Sequence, residues 1–249
     1  MEKMKIALLM VFWLPFCRAA ESPDALFKQG NAAFEAGKFS DAITSYESAK
    51  ADGTRSWMLE YNLGNAYYRS GQLGKAVAHY ALAFRLNSGE KDVIENLNLV
   101  SAKAGDPLLP NSGLAVFFWR LFYFFSLNTL TGFAALFFLG LCAMGFIRLS
   151  GATVFSAETW VLVGCGFLIF SGWTGVRWTL QTQPTGIVIT PVAEVRSGPN
   201  LSYPANFTIP EGRRVLVLEE QEPVQGWIEI GVPQEGLKGW VPDASVEVL

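Results

Sequence analysis

Five small or aromatic residues recur in the first half of the chain at one fixed distance. The series Gly30, Gly37, Ala42, Tyr46, Ala49 is followed 34 residues later by Gly64, Gly71, Ala76, Tyr80, Ala83. A fixed period of this length is typical of stacked supersecondary units rather than of a single globular core. The pattern predicts two antiparallel helices per unit. They would cross closely at the glycines and alanines, while each tyrosine fills the gap against the next helix.

The two copies resemble the tetratricopeptide-repeat family. The carrying segments are LFKQGNAAF at 26–34 with GKFSDA at 37–42, and YNLGNAYY at 61–68 with GQLGKA at 71–76. The segment 92–103 continues at the same spacing, with Asn98 in the position of Gly30 and Gly64, and is predicted to be a capping helix. The resemblance implies a repeat domain over residues 21–105 with a concave groove lined by the first helix of each repeat.

Four asparagines occupy groove-facing positions of that template. They are Asn31, Asn62, Asn65 and Asn96. An amide side chain both donates and accepts, so a row of them suits the N–H and C=O groups of an extended peptide. The alternative is that these asparagines cap turns or face solvent. A carboxylate clamp, as in some chaperone-binding relatives, is disfavoured because Phe27 and Asp92 stand where that clamp needs basic residues.

Two uncharged apolar runs follow the repeats, Leu130–Ile147 and Trp160–Val176. Eighteen helical residues at ~1.5 Å each span ~27 Å, close to the thickness of a bilayer core. We expect transmembrane helices over 127–148 and 158–179. The alternative, a buried hairpin of a soluble core, would need larger flanking domains to cover it.

The stretch 114–126 just before the first run is apolar but carries Trp119, Arg120 and Tyr123. This composition predicts a helix lying at the membrane surface, with its aromatic rings at headgroup depth. One long tilted helix from Val116 to Ile147 is the alternative.

The first twenty residues have the composition of a secretory signal peptide. Lys3 and Lys5 precede the apolar run Ile6–Cys17, and Ala19 and Ala20 offer a cleavage point. A lipoprotein reading of Cys17 is disfavoured by the bulky Phe16 before it. If the leader directs export, two spans place both soluble domains on the outer side of the membrane.

The last part of the chain, 186–249, alternates short β-rich runs with turn residues. The predicted strands are 187–195, 214–220, 227–230, 238–242 and 246–249. The segments VRSGP at 195–199, EGRRV at 211–215, WIEI at 227–230 and GWVP at 239–242 resemble the bacterial Src-homology-3 (SH3)-like family. The resemblance implies a small all-β barrel, with Tyr203, Phe207, Trp227 and Trp240 as candidate surface aromatics. The alternative is that the two tryptophans belong to the core.

Charge and reactive residues exclude several function classes. The repeat region 21–110 has 9 Lys and Arg against 11 Asp and Glu, and region 186–249 has 4 against 9, so neither is basic enough to favour nucleic acid. Cys17, Cys142 and Cys165 lie in apolar runs without metal-ligand spacing, and the single histidine, His79, has no nucleophile or carboxylate constellation around it in the sequence. The sequence therefore predicts no metal, no cofactor and no enzymatic activity.

The chain as a whole resembles the BatE-type proteins of bacterial aerotolerance (Bat) operons. The resemblance lies in the order of its parts: a leader, a repeat pair, two spans and a terminal SH3-like domain. That resemblance implies a multidomain protein of the inner membrane with both domains in the periplasm. It also implies partners with von Willebrand A domains and a MoxR-type ATPase. Two functions are compatible with this order of domains. One is a scaffold that binds a protein partner in the repeat groove, and the other is a tether whose barrel binds peptidoglycan peptides.

Overall fold

Five helices of nearly equal length open the part of the chain that the computed structural model describes, which comprises residues 22–51, 55–110, 113–218, 224–232 and 235–249. The helices are α1 (Pro23–Glu35), α2 (Phe39–Ala51), α3 (Trp57–Arg69), α4 (Leu73–Leu86) and α5 (Lys91–Lys103). Consecutive helices pack against each other as hairpins, in the manner of tetratricopeptide-like repeats. The predicted leader over 1–20 lies outside the described residues.

A glycine with positive φ ends every other helix of this array. Gly37, Gly71 and Gly105 have φ of 74°, 81° and 77° and follow α1, α3 and α5. The residue after each glycine donates its N–H back to the helix, as in the bond from Asp106 to the Ser101 carbonyl at 3.0 Å. The 34-residue spacing therefore extends to Gly105, and α5 is the first helix of a third unit.

The repeated Gly–Tyr pairs bring neighbouring helices into close contact. A Cβ at Gly64 would lie only 2.8 Å from the ring of Tyr80, and a Cβ at Gly30 would collide with Tyr46 in the same way. Both tyrosines are almost fully buried. The missing side chain of each glycine is thus what lets each ring lie flat across the preceding helix.

Three further helices carry the apolar middle of the chain: α6 (Gly113–Tyr123), α7 (Leu127–Leu149) and α8 (Ala157–Thr182). Ser126 and Ser156 cap α7 and α8, each accepting the N–H of the threonine three residues on. The most apolar windows of α7 and α8 have mean hydropathies of 2.2 and 1.5. Both helices are long and apolar enough to cross a membrane.

Helices α7 and α8 pack on each other through aromatic rings and leave their outer faces uncovered. Phe137 on α7 stacks on Phe170 on α8 with ring centroids 5.6 Å apart, and Gly166 makes room for Phe137. Leu136 and Phe146 on α7, by contrast, are 65% and 75% exposed. Apolar surface of this extent suits helices that lie in lipid.

The C-terminal region is a seven-stranded antiparallel sheet. Its strands are β1 (Thr185–Val188), β2 (Val192–Arg196), β3 (Ala205–Pro210), β4 (Arg214–Leu218), β5 (Trp227–Val232), β6 (Leu237–Pro242) and β7 (Val246–Val248), in the order β3-β2-β6-β5-β4-β1-β7. The end strands β3 and β7 each pair with one neighbour, so the sheet is open. The closed SH3-like barrel is not confirmed.

Two strand predictions differ from the structure. The run 187–195 is two strands, since Pro191, which has no N–H, stands at the break between β1 and β2. Strand β3 was not predicted, because Pro204 and Pro210 and the intervening Asn206 have the composition of a turn. Its Phe207 and Ile209 nevertheless alternate toward the sheet core, which gives the strand its buried face.

The sheet docks on the outer side of the repeat array. A Cβ at Gly74 of α4 would lie 2.5 Å from the Val188 carbonyl oxygen, so strand and helix are in direct contact. Ile187 is part of the core cluster of the repeats. Among the described residues, the cavity beside Asn31, Asn62 and Asn65 has no sheet residue in its lining.

Candidate functional site

The four predicted asparagines lie side by side across three helices. Asn31 is on α1, Asn62 and Asn65 are on α3, and Asn96 is on α5, and all four are half-buried. A cavity of about 270 Å³ opens here. Its lining residues are Asn31, Phe34, Glu35, Tyr46, Asn62 and Asn65. We call this surface, with Asn96, the asparagine groove.

A tyrosine hydroxyl orients the first asparagine pair. The Tyr46 hydroxyl donates to Oδ1 of Asn31 at 2.7 Å, and Nδ2 of Asn62 donates to the same oxygen at 3.0 Å. Both acceptor sites of that oxygen are therefore filled. The pairing fixes which way each amide points.

The same arrangement recurs one repeat later. The Tyr80 hydroxyl donates to Oδ1 of Asn65 at 2.7 Å, and Nδ2 of Asn96 donates to that oxygen at 3.4 Å. Every member is 34 residues from its counterpart in the first unit. The groove is thus built from two copies of one Asn–Tyr–Asn unit, and the tyrosines are site residues that the sequence suggested only as core residues.

The two units differ at one aromatic position. Phe27 packs on Tyr46 and Tyr61 packs on Tyr80, both with centroids 5.8 Å apart. The Tyr61 hydroxyl accepts a second bond from Nδ2 of Asn96 at 2.9 Å, whereas the ring of Phe27 offers no such acceptor to Asn62. The α5 side of the groove is consequently held by one more hydrogen bond.

Burial keeps the orienting hydroxyls protonated. Burial raises the pKa of Tyr46 to about 12, with a smaller opposing effect from the Asn62 amide. Burial likewise raises the pKa of Tyr80. Both hydroxyls remain donors at every physiological pH, so the asparagine orientation does not change with pH.

Each unit leaves one amide donor and one amide acceptor uncommitted. Within the described residues, Nδ2 of Asn31 and Asn65 and Oδ1 of Asn62 and Asn96 have no hydrogen-bond partner. In chain order these atoms alternate between donor and acceptor, with one of each on α3. That alternation matches the N–H and C=O groups of an extended backbone.

The predicted aromatics of the sheet divide between its two faces. Phe207 packs on the sheet core, opposite Val195. Trp240 pairs with Arg196 on one side and Glu229 on the other, and alternation places Trp227 on the same, outer face. Both tryptophans are half-buried, and neither packs on the core cluster of the sheet.

Arg196 connects the outer face of the sheet to the loop that carries Tyr203. Its guanidinium donates to the carbonyls of Leu201 and Tyr203 at 3.1 and 2.7 Å. The Tyr203 ring covers Gly198 and stays 46% exposed. Trp227, Trp240 and Tyr203, but not Phe207, therefore belong to the outer surface of the sheet.

His79 lies in a buried ionic cluster on the far side of the repeats. Its Nδ1 is 2.7 Å from Glu60 and its Nε2 is 3.6 Å from Glu47, while its ring stacks on Tyr67. Burial raises the pKa of the Glu60 carboxyl, but hydrogen bonding and charge from His79 and Lys50 outweigh it, so the pKa is lowered. Among the described residues no cluster of three or more His, Cys, Asp or Glu is arranged to hold a metal.

Comparison with known proteins gives structural neighbours but neither a family nor a curated relative. No protein-family model matches the sequence, and the comparison with curated proteins gives no match. Among solved structures, the first tetratricopeptide domain of Spaghetti (RPAP3) bound to the HSP90 peptide SRMEEVD is similar to part of the chain. It is 22% identical with a TM-score of 0.32, over 34% of this chain and 72% of the neighbour.

Proposed function

We propose that this chain is a non-enzymatic, membrane-anchored scaffold that binds an extended segment of a protein partner in the asparagine groove. The observation that carries the proposal is the duplicated Asn–Tyr–Asn unit. Each copy uses its tyrosine to fix two amides and leaves one donor and one acceptor for a ligand. A groove that pairs with backbone atoms binds without requiring a particular side chain, as an adaptor must.

The partner segment in this proposal is neutral or basic. Glu35 lines the cavity, and Phe27 and Asp92 take the positions where an acidic C terminus would need basic residues. The resemblance to BatE-type proteins suggests the partners themselves: membrane proteins with von Willebrand A domains, acting with a MoxR-type ATPase. The complex would lie in the bacterial inner membrane.

Both soluble domains lie on one side of the membrane in this proposal. The sheet packs directly on α4 of the repeat array, which supports a common side for the two domains. Two spans, α7 and α8, return the chain to the side from which it entered. The predicted leader makes that side the periplasm.

In-cell crosslinking of the tagged full chain, followed by mass spectrometry, tests the scaffold function. The double variant Asn31→Ala/Asn62→Ala removes one Asn–Asn pair, and Asn206→Ala on the exposed face of β3 is the matched control. We expect von Willebrand A proteins to be recovered with the wild type and the control, and to fall at least tenfold with the double variant. Equal recovery from all three, with unchanged thermal unfolding, would contradict the proposal.

The outer face of the sheet supports a second candidate function, a cell-wall tether. Trp227 and Trp240 lie on that face, away from the sheet core, where they are accessible to a peptide. Co-sedimentation of the protein with purified peptidoglycan tests it. Binding that is lost in Trp227→Ala/Trp240→Ala and kept in the groove variant would favour the tether over the scaffold.

A further inference from the structure

A second cavity lies where all parts of the molecule meet. It has a volume of about 490 Å³, within the range typical of small-molecule sites, and is bounded by α4, α5, α6, the end of α8 and the sheet. Most of its wall is apolar. The apolar residues include Phe84, Leu97, Leu108, Trp119, Tyr123 and Leu180. We call it the junction cavity.

The junction cavity lies at the surface of the membrane, if α8 crosses it as the proposed function requires. Leu180 and Gln181 are in the last turn of α8, so the cavity begins where the span ends. Trp119 and Tyr123 of α6 form its wall, and such rings favour headgroup depth. An acyl chain in the bilayer is therefore adjacent to the apolar part of the cavity.

Two arginines, Arg85 and Arg214, are among the polar residues that line the cavity. Arg85 reaches across to the Gln181 carbonyl, which also ties α4 to the end of α8. The backbone N–H of Arg214 donates to the Asp106 carboxylate at 2.9 Å, so that bond does not use the Arg214 side chain. No Asp or Glu side chain is among the described residues that line the cavity.

We propose that the junction cavity binds one anionic phospholipid. An acyl chain occupies the apolar wall, and the phosphate lies between Arg85 and Arg214, which suit a phosphate because guanidinium groups donate two parallel bonds. A neutral lipid would contact the apolar wall but not pair with the arginines. Free phosphate would pair with the arginines but leave the apolar wall empty. The lipid would join the repeats, the sheet and the end of α8.

Lipid retention by the full chain tests the site. The protein is purified in detergent, incubated with dioleoylphosphatidylglycerol or dioleoylphosphatidylcholine, and the bound lipids are counted by native mass spectrometry. Arg214→Gln removes one guanidinium. Arg213→Gln is the matched control because Arg213, which pairs with Glu235 and Asp106, does not line the cavity. Ser88→Trp, at the cavity wall, blocks it with a bulky ring while leaving both arginines.

We expect one phosphatidylglycerol per chain in the wild type and in Arg213→Gln, and retention lower by about tenfold in Arg214→Gln and Ser88→Trp. Equal retention of both lipids by every variant would overturn the proposal, as would thermal stabilisation by inorganic phosphate equal to that by phosphatidylglycerol. Alkaline extraction of membranes distinguishes a failure of the membrane placement from a failure of the lipid site alone. A chain that is extracted has no membrane anchor, which overturns the scaffold's membrane placement as well, whereas an integral chain without lipid preference overturns only the lipid site.

Discussion

Tyr46 and Tyr80 each have two roles in the repeat domain. The ring of each lies across a glycine of the preceding helix, and the hydroxyl at its tip reaches the asparagine next to that glycine. The 34-residue period predicted the packing role, because the same small and aromatic residues recur at that spacing. It gave no indication of the hydroxyl bonds, since a buried phenol and a buried phenyl ring fill a repeat core equally well. The asparagine positions were predictable from the repeat template, but their pairing was not.

Removing one phenolic hydroxyl should destabilise the repeats without disturbing their packing. Tyr80→Phe keeps the ring against Gly64 and takes one donor from Oδ1 of Asn65, at a cost of about 1 kcal/mol. Tyr203→Phe, on the exposed loop of the sheet, is the control and should leave stability unchanged. Chemical denaturation followed by circular dichroism measures both, and equal midpoints for the two variants would contradict the hydroxyl's role.

Glu60 should make the stability of the repeats depend on acidic pH. Its pKa in the folded chain is lowered from the usual 4.5, so its contribution is present above that pH and is lost as the pH falls through the lower folded value. The groups that face it are Lys50 and His79, with Glu47 and Tyr67 beyond the histidine. Wild type should therefore lose free energy of unfolding more steeply below pH 4.5 than Glu60→Gln does.

Denaturation midpoints between neutral pH and the acid limit of solubility measure this difference. Glu235→Gln, which alters an exposed ion pair with Arg213, serves as control and should follow the wild type. Parallel pH profiles for wild type and Glu60→Gln would show that the buried cluster does not stabilise the fold through its charge.

At the scale of elements, a buried arginine of α8 holds the end of α6, where Trp173 Nε1 also donates to the Phe122 carbonyl at 3.2 Å. The Arg177 guanidinium donates to the carbonyls of Phe122 and Phe125, at 3.0 and 3.2 Å, and lies 4.2 Å from the ring centroid of Tyr123. Phe122 is in the last turn of α6 and Phe125 lies just beyond it, where backbone carbonyls lack partners within the helix. In the sequence, Arg177 directly follows the uncharged run Trp160–Val176. The contact joins residues more than fifty positions apart, and hydropathy carries no information about such partners.

Replacing that arginine should loosen α6 from the spans. Arg177→Leu preserves the apolar character of α8 but removes two hydrogen bonds from a charged donor, each worth about 1.5–3 kcal/mol. Arg120→Leu, on the exposed side of α6, is the matched control. Thermal unfolding in detergent should show a lower midpoint for Arg177→Leu alone, and equal midpoints would mean that the arginine does not hold the junction.

At the scale of the whole molecule, α4 connects every part. The Glu211 carboxylate of the sheet accepts the Gly74 N–H at 3.0 Å, near the N-terminus of α4, where a negative charge is favourable. Phe84 of the same helix stacks on Trp119 of α6. The sequence predicted a separate small β domain over 186–249 and no contact with the repeats. Its docking depends on Gly74 and Gly212, which carry no side chain and so leave no hydrophobic signal of an interface.

A side chain at Gly74 should separate the sheet from the repeats. In Gly74→Val the new Cβ meets the Val188 carbonyl, whereas in Gly89→Val, the control, the nearest such atom is 3.7 Å away. Overpacking of this kind costs about 1–3 kcal/mol. Hydrogen exchange should accelerate in β1 and at the start of α4 for Gly74→Val only. Unchanged exchange there would contradict the docked arrangement.

The central claim, that the asparagine groove is the partner-binding surface, is tested most directly by photo-crosslinking from defined positions in living cells. A benzophenone amino acid replaces Phe34, which lines the groove, or Tyr203, which is exposed on the sheet. We predict that position 34 captures a membrane protein partner, that position 203 does not, and that Asn31→Ala/Asn62→Ala abolishes the capture. Capture of the same partner from position 203 alone, unaffected by the asparagine changes, would contradict the account and assign partner binding to the sheet.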